Sequence, residues 1–300
     1  MKKIKRTRAF CALLAVLMMM SVVSVNASAF NGPNRKWATI DAASLKNVSG
    51  TRKAVQKAYI VNDNAIYAYQ RLNDNDMVLT YCTRSGGAGS FKAQSCMILK
   101  GFGHAQSLDM DKYGYFWSTC NGVGGKYNFG NYVTRFKYQA NKTVNYKKDL
   151  KYWTTSSKRV ELAVTSDGDY LYVRLEDGTC SRYAVDDILK VSSGKALSSA
   201  AHVSALYVDC PEGSNQGLEY SNGFAVYIAG AESTGEKKWK NPKIWKKTSS
   251  GYVKREMESM PASYEVEGIQ IKGSYLYVSV TAHKNPNEFY IYRIEKSLWD

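Results

Sequence analysis

The sequence is poor in the side chains that usually announce a catalytic or metal centre. It has three histidines, His104, His202 and His283, far apart along the chain. No CxxC pair and no Cys/His cluster occurs, which argues against a zinc site, and neither a metal nor a cofactor is expected. No serine elbow or Cys-His motif accompanies His104, and Gly122-Val123-Gly124-Gly125 lacks the strand-loop-helix setting of a phosphate loop. Helical signal is weak and confined to Val185–Val191. There is neither an amphipathic helix nor a long alternating hairpin suited to membrane insertion. Beyond the N-terminus no stretch approaches 18 apolar residues, so the mature chain is expected to carry no transmembrane anchor. With 44% hydrophobic and 22% charged residues, wholesale disorder is excluded.

The N-terminus reads as an export signal. Lys2, Lys3, Lys5, Arg6 and Arg8 precede an almost unbroken apolar run from Ala9 to Val25, and Ala27-Ser28-Ala29 is a small-x-small cleavage site. Residues 1–29 are therefore assigned as a signal peptide, and the protein is expected to be secreted and extracellular. Removing 29 of 300 residues leaves 271, and losing five basic residues takes the net charge from +15 to +10. Five cysteines persist, an odd number. Cys82 and Cys96 flank the turn-rich Ser85–Ser90 tip and could face each other across a hairpin as a disulfide; plain buried cysteines are the alternative.

A repeat sets the architecture. A Gln or Glu is followed two positions later by an apolar residue, then a turn, then an aromatic or β-branched strand. The copies begin at Gln56, Gln106, Glu161, Gln216 and Glu267, spaced 50, 55, 55 and 51 residues. Turns such as Ser166-Asp167-Gly168 and Ser221-Asn222-Gly223 fit hairpins. A period of this length holding four strands is that of a propeller blade. The expected fold is all-β, a single five-bladed β-propeller over 55–300 behind a polar lead-in at 30–54. Part of that lead-in would add a ring-closing strand.

In such a fold the first strand of each blade lines a central channel. Gln56, Gln106, Glu161, Gln216 and Glu267 would form a polar ring there, as a ligand or ion site or as partners for backbone groups. Ala58, Leu108, Ala163, Leu218 and Ile269 would form an apolar ring on the same side, because strands alternate faces. The densest surface signal is Lys237, Lys238, Trp239, Lys240, Lys243, Trp245, Lys246 and Lys247. Lysine attracts anionic polymers and lipid surfaces, and tryptophan suits wet interfaces and sugar rings. Structural tryptophans packed between blades are the alternative. Export makes nucleic acid an unsuitable partner.

The repeat residues also carry a family resemblance. Glu265-Val266-Glu267-Gly268-Ile269-Gln270-Ile271, with Leu276–Asn285 and Ile291–Trp299 after it, resembles the helveticin J family of class III bacteriocins. Gly103-His104-Ala105-Gln106-Ser107 resembles that family's Gly-His-x-Gln-Thr segment. Glu161–Asp167 resembles its Glu-Ala-Ala-Val-Ser-Pro-Asp segment, and Asn215–Leu218 its Ile-Gln-Gly-Tyr segment. The resemblance runs from about residue 55 to the C-terminus. It implies a secreted, heat-labile, non-enzymatic protein that binds the anionic envelope (teichoic acid, surface glycan or lipid) of related Gram-positive cells and kills them. An immunity protein would be a further partner. The resemblance supplies no catalytic residues. The alternatives are a wall-glycopolymer-binding module without killing, and a carbohydrate-active propeller enzyme using carboxylates such as Glu161 or Glu267.

Overall fold

A computed structural model describes residues 35–46, 53–85, 89–122, 128–209, 214–221, 224–230, 242–257, 261, 263–283 and 287–295. The signal-peptide region, Cys210 and the segment holding Lys237, Lys238, Trp239 and Lys240 lie outside them. The fold is all-β, and its strands form five four-stranded antiparallel groups. One strand of the fifth group comes first in the chain, β1 (Arg35–Ile40). The first group is β2 (Val55–Asn62), β3 (Ala65–Arg71), β4 (Met77–Ser85) and β5 (Ser90–Lys100). The second is β6 (Leu108–Met110), β7 (Phe116–Gly122), β8 (Gly130–Phe136) and, after a short β9 (Thr143–Asn145) that pairs parallel to β5, β10 (Lys151–Trp153). The third is β11 (Val160–Val164), β12 (Tyr170–Leu175), β13 (Cys180–Ala184) and β14 (His202–Ser204). The fourth is β15 (Ser214–Ser221), β16 (Phe224–Gly230), β17 (Lys243–Thr248) and β18 (Gly251–Glu256). The fifth is β19 (Tyr264–Lys272), β20 (Tyr275–Ala282) and β21 (Glu288–Glu295), completed by β1. The expected helix is present at Val185–Lys190.

The first strands of the groups touch in a cycle: β2 against β6, β6 against β11, β11 against β15, β15 against β19, and β19 against β2. The lead-in supplies the strand that joins the ends. β1 pairs antiparallel with β21 and parallel with β5, so the fifth and first groups merge into one sheet.

Each pair of neighbouring groups encloses its own core cluster. Leu79, Met97 and Phe136 fill the first junction, and Trp117, Trp153 and Val173 the second. Tyr172, Tyr220 and Trp245 fill the third, Val226, Ile244 and Val278 the fourth, and Ile60, Phe91 and Ile291 the fifth. Both faces of every group are thus buried, which explains the long apolar runs in the middle strands.

Two expectations are corrected here. Cys82 stands opposite Ala93 and Cys96 opposite Thr80 in the β4–β5 ladder, and both thiols are free. A bulge after Tyr81 and the difference in register keep them from facing each other. The apolar residues two beyond the ring positions also do not line the axis. Ala58, Leu108, Ala163, Leu218 and Ile269 lie in the clusters between groups. At three of the five positions the ladder is broken locally. The register skips Gln56 between Val55 and Lys57, Gln216 between Asn215 and Gly217, and Glu267 between Val266 and Ile269. A bulge breaks the alternation of faces and re-aims its side chain.

Candidate functional site

The five repeated Gln/Glu side chains fall into two hydrogen-bonded clusters where the first strands begin, one holding Gln56 and Glu267 and the other Gln106, Glu161 and Gln216. Gln56 Nε2 donates to Glu267 Oε2 at 3.1 Å, and His104 Nε2 stands 2.6 Å from Gln56 Oε1. Gln106 Nε2 donates to Gln216 Oε1 at 2.8 Å, and Gln216 Nε2 to Glu265 Oε1 at 3.0 Å. Arg159 Nη2 bridges Gln106 Oε1 and Glu161 Oε1, each at 2.6 Å, and also reaches the Asn215 carbonyl. The other oxygen of Glu161 accepts from Arg174 Nη1 at 3.1 Å and Asn215 Nδ2 at 2.5 Å. Glu265 Oε2 meets His283 Nε2 at 2.5 Å.

Burial divides these residues by task. Gln56, Glu161, Gln216 and Glu267 are buried, whereas His104, Gln106, Arg159 and Glu265 are half-buried and His283 is exposed. Two of the half-buried set face an aromatic, Phe129. His104 stacks on its ring at 5.1 Å between centroids, and the Arg159 guanidinium lies 4.3 Å from its centroid. Glu161 has two arginines to balance its charge. Glu267 is less well served. Burial, then the neighbouring Glu265 charge, pushes its carboxyl well above the usual range, against the opposing pull of Arg71 and the Gln56 hydrogen bond.

Beneath these clusters lies a second buried polar layer. Lys57 Nζ reaches Glu219 Oε1 at 2.5 Å, joining the first and fourth groups, whose first strands are not neighbours in the cycle. Asp109 is close enough to both to influence their ionisation. Asp109 Oδ2 also accepts from Val164 N at 2.9 Å, Ser107 Oγ from Leu162 N at 3.1 Å, and Gln270 Oε1 from Ile60 N at 2.5 Å. Side chains in this layer therefore satisfy backbone donors of the adjoining first strand. The structural role expected of the Gln/Glu ring falls on residues one to three positions further along.

The basic aromatic segment divides differently. Of its described residues, Lys243, Trp245, Lys246 and Lys247 lie on β17. Trp245 is no surface anchor. It is buried, stacks with Tyr227 at 6.1 Å, and belongs to the core between the third and fourth groups. Strand alternation turns Lys246 to the opposite face, over Phe224, while Lys247 follows on the side of Trp245 and lies over Tyr252. A separate cavity of about 310 Å³ is lined by Thr154, Val173, Tyr183 and Leu197 among others, with no charged side chain.

His104, Arg159 and Glu265 were not in the expected ring, nor were Phe129, Arg174 and His283. A signal for the first three was there. Each stands two residues before a ring position, at Gln106, Glu161 and Glu267, where an extended chain returns side chains to one side.

No protein-family model and no curated protein sequence matches the chain. Solved structures do resemble its fold. The tail fiber of Staphylococcus aureus phage P68 superposes with a TM-score of 0.58 at 13% identity, covering 95% of this chain and 58% of that one. An exo-β-1,3-galactanase from Phanerochaete chrysosporium, solved with galactose, gives 0.51 at 11% identity, covering 88% of this chain and 64% of that one. The chain thus spans less than two thirds of either neighbour. At these identities the likeness is one of fold. Among the described residues no helix is long and apolar enough to cross a membrane.

Proposed function

We propose that this chain is a secreted five-bladed β-propeller that holds a glycan of the bacterial envelope at the mouth of its central channel, as a helveticin J-like bacteriocin. The observation that carries the binding site is the Phe129 ring held between half-buried His104 and Arg159, with Gln56 hydrogen-bonded to His104 and Gln106 and Glu161 to Arg159. An aromatic face flanked by amides, a guanidinium and a carboxylate suits a polyhydroxylated ring, which offers apolar C–H faces and alternating donors and acceptors. The five groups with first strands in a cycle support the propeller. The fold likeness to a phage tail fiber and to a galactanase bound to galactose supports an envelope glycan. The lysines of β17 and the net charge of +10 left after loss of the five basic residues of 1–29 from +15 favour an anionic polymer such as teichoic acid. Killing follows from the family resemblance.

Binding of the purified chain to walls of related Gram-positive strains tests this reading. Phe129→Ala and Arg159→Gln are each expected to weaken binding about ten-fold or more, and soluble wall glycopolymer should compete where anionic vesicles do not. Retention of full affinity in both variants would remove the mouth as the site. Viable counts with a boiled control then separate a bacteriocin from a wall-binding module without killing.

One observation favours a second reading, a carbohydrate-active enzyme. Glu265 and Glu267 present carboxylate oxygens within 4.8 Å of each other. One of them is held towards its protonated form, the pattern of an acid paired with a carboxylate. That reading expects Glu267→Gln to abolish product release from a wall glycan while binding persists.

A further inference from the structure

The fifth group brings together three ligating side chains from the two clusters. Glu265 and Glu267 come from β19, and His283 follows the end of β20. One ligand atom from each lies within 4.8 Å of the other two. The arrangement is built into the fold. The β19 bulge between Val266 and Ile269 interrupts the ladder at Glu267. His283 is fixed by its own backbone N–H, which donates to the Ser263 carbonyl at 2.7 Å. Gln216 orients Glu265 through Oε1, and Gln56 orients Glu267 through Oε2. Each carboxylate is held at one oxygen by a neutral amide, as outer partners hold metal ligands, while the other oxygen of Glu265 meets His283 Nε2 at 2.5 Å, a contact that a bound ion would replace.

A second observation points to a ligand at the same place. Thr281 stands directly opposite Glu265 in the β19–β20 register, so their side chains share a face. Thr281 is fully buried, and its Oγ1 has no hydrogen-bond partner. A buried hydroxyl without a partner calls for an explanation. Among the described residues, the one hydrogen bond to the buried Glu267 carboxylate comes from the uncharged Gln56.

We propose that Glu265, Glu267 and His283 bind a divalent cation at the mouth of the channel. Two carboxylates balance the charge of such an ion. An imidazole in the donor set selects a borderline metal such as Zn²⁺ over the harder Mn²⁺, Mg²⁺ or Ca²⁺. Three protein ligands leave coordination positions open, as in sites whose metal meets a further ligand. The His283 side chain is 42% exposed, so the open side is reached from solvent. The cation site stands on these contacts and does not depend on the glycan reading.

The test is a titration of the full chain, stripped with chelator, with Zn²⁺, Mn²⁺, Mg²⁺ or Ca²⁺ alone, read by calorimetry and by the shift in thermal unfolding. No glycan is present, so failure here and failure of glycan binding are distinct results. One equivalent of Zn²⁺ is expected to bind, more tightly than Mn²⁺, and to raise the melting temperature. His283→Ala and Glu265→Gln, both at accessible side chains, should each weaken that binding about ten-fold or more, as loss of a ligand or its support does. Their metal-free melting curves show that they fold. Absence of stoichiometric binding, equal binding by the His283→Ala/Glu265→Gln double variant, or a response to Mg²⁺ and Ca²⁺ alone would each overturn the assignment.

Discussion

Asp76 shows how single residues hold the site from outside it. Its Oδ2 accepts from Lys100 Nζ at 2.8 Å and from Asn73 Nδ2 at 3.1 Å, and its Oδ1 from Gly101 N at 3.0 Å. The adjoining Asn75 carbonyl accepts from Gly103 N, so this loop anchors the segment that presents His104. Burial pushes the Asp76 carboxyl up, but the Lys100, Asn73 and Gly101 contacts outweigh it and hold it below the usual carboxylate value. A carboxyl whose folded pKa is depressed contributes stability that is full above its unfolded value. That stability is lost as the pH falls through the folded one. Stability is therefore expected to decline below about pH 4, and Asp76→Asn should lower stability at pH 6 while flattening the decline. Urea midpoints measured from pH 2 to 6 check this; parallel curves for the two proteins would refute it. Asp76 had no signal in the sequence, where it is one acidic residue in a polar turn. The ring residues did, because their recurrence is visible without any structure.

At the scale of the element, bulges decide what the repeat can do. They sit at Gln56, Gln216 and Glu267, three of the five repeated positions. Glycine follows two of them for a steric reason. A Cβ on Gly268 would come within 2.4 Å of the Gln56 carbonyl oxygen and 2.9 Å of Lys57 Cβ, and one on Gly217 within 2.9 Å of Ile269 N. Gly268→Ala is thus expected to force β19 and β2 apart, costing about 1–3 kcal/mol. A lowered denaturation midpoint together with weakened glycan binding is the expected result, and unchanged values for both would show that the strands have room. Periodicity alone placed the apolar residues of these strands on the channel. In the structure they lie in the cores between groups, and Lys57 and Glu219, which follow bulges, meet Asp109 in a buried polar layer. Trp245 follows from the same kind of local fact. Its lysine-rich neighbourhood suggested a surface, but its place on β17 faces it into the core.

The whole molecule is closed by pairings between distant parts of the chain. β1 joins the last strand of the fifth group, and Lys57 reaches Glu219 across 162 residues. Burial disfavours the Lys57 ammonium, yet Glu219 and Asp109 outweigh it and raise its pKa. Burial also lifts both carboxyls above their usual range, so the three groups behave as a unit. Removing one partner leaves a buried charge, so Lys57→Met is expected to cost about 3–5 kcal/mol. Lys57→Met/Glu219→Leu should cost less than the two single changes together, with a coupling of about 1–3 kcal/mol. Denaturant unfolding of the four proteins measures this, and simple additivity would mean that the contact does not hold the cycle together.

The amino-acid sequence by itself determined the all-β class, the five repeats and the identity of the ring. Each rests on local preference and spacing, which a linear chain displays. Only the tertiary structure decided which side chains meet there. His104, Phe129, Arg159, Glu265 and His283 come from different strands and loops of the chain. The free state of Cys82 and Cys96, the inward turn of Trp245 and the gathering of Glu265, Glu267 and His283 were settled in the same way. Contacts across a closed cycle depend on strand register, and register depends on packing that spacing along one chain does not contain.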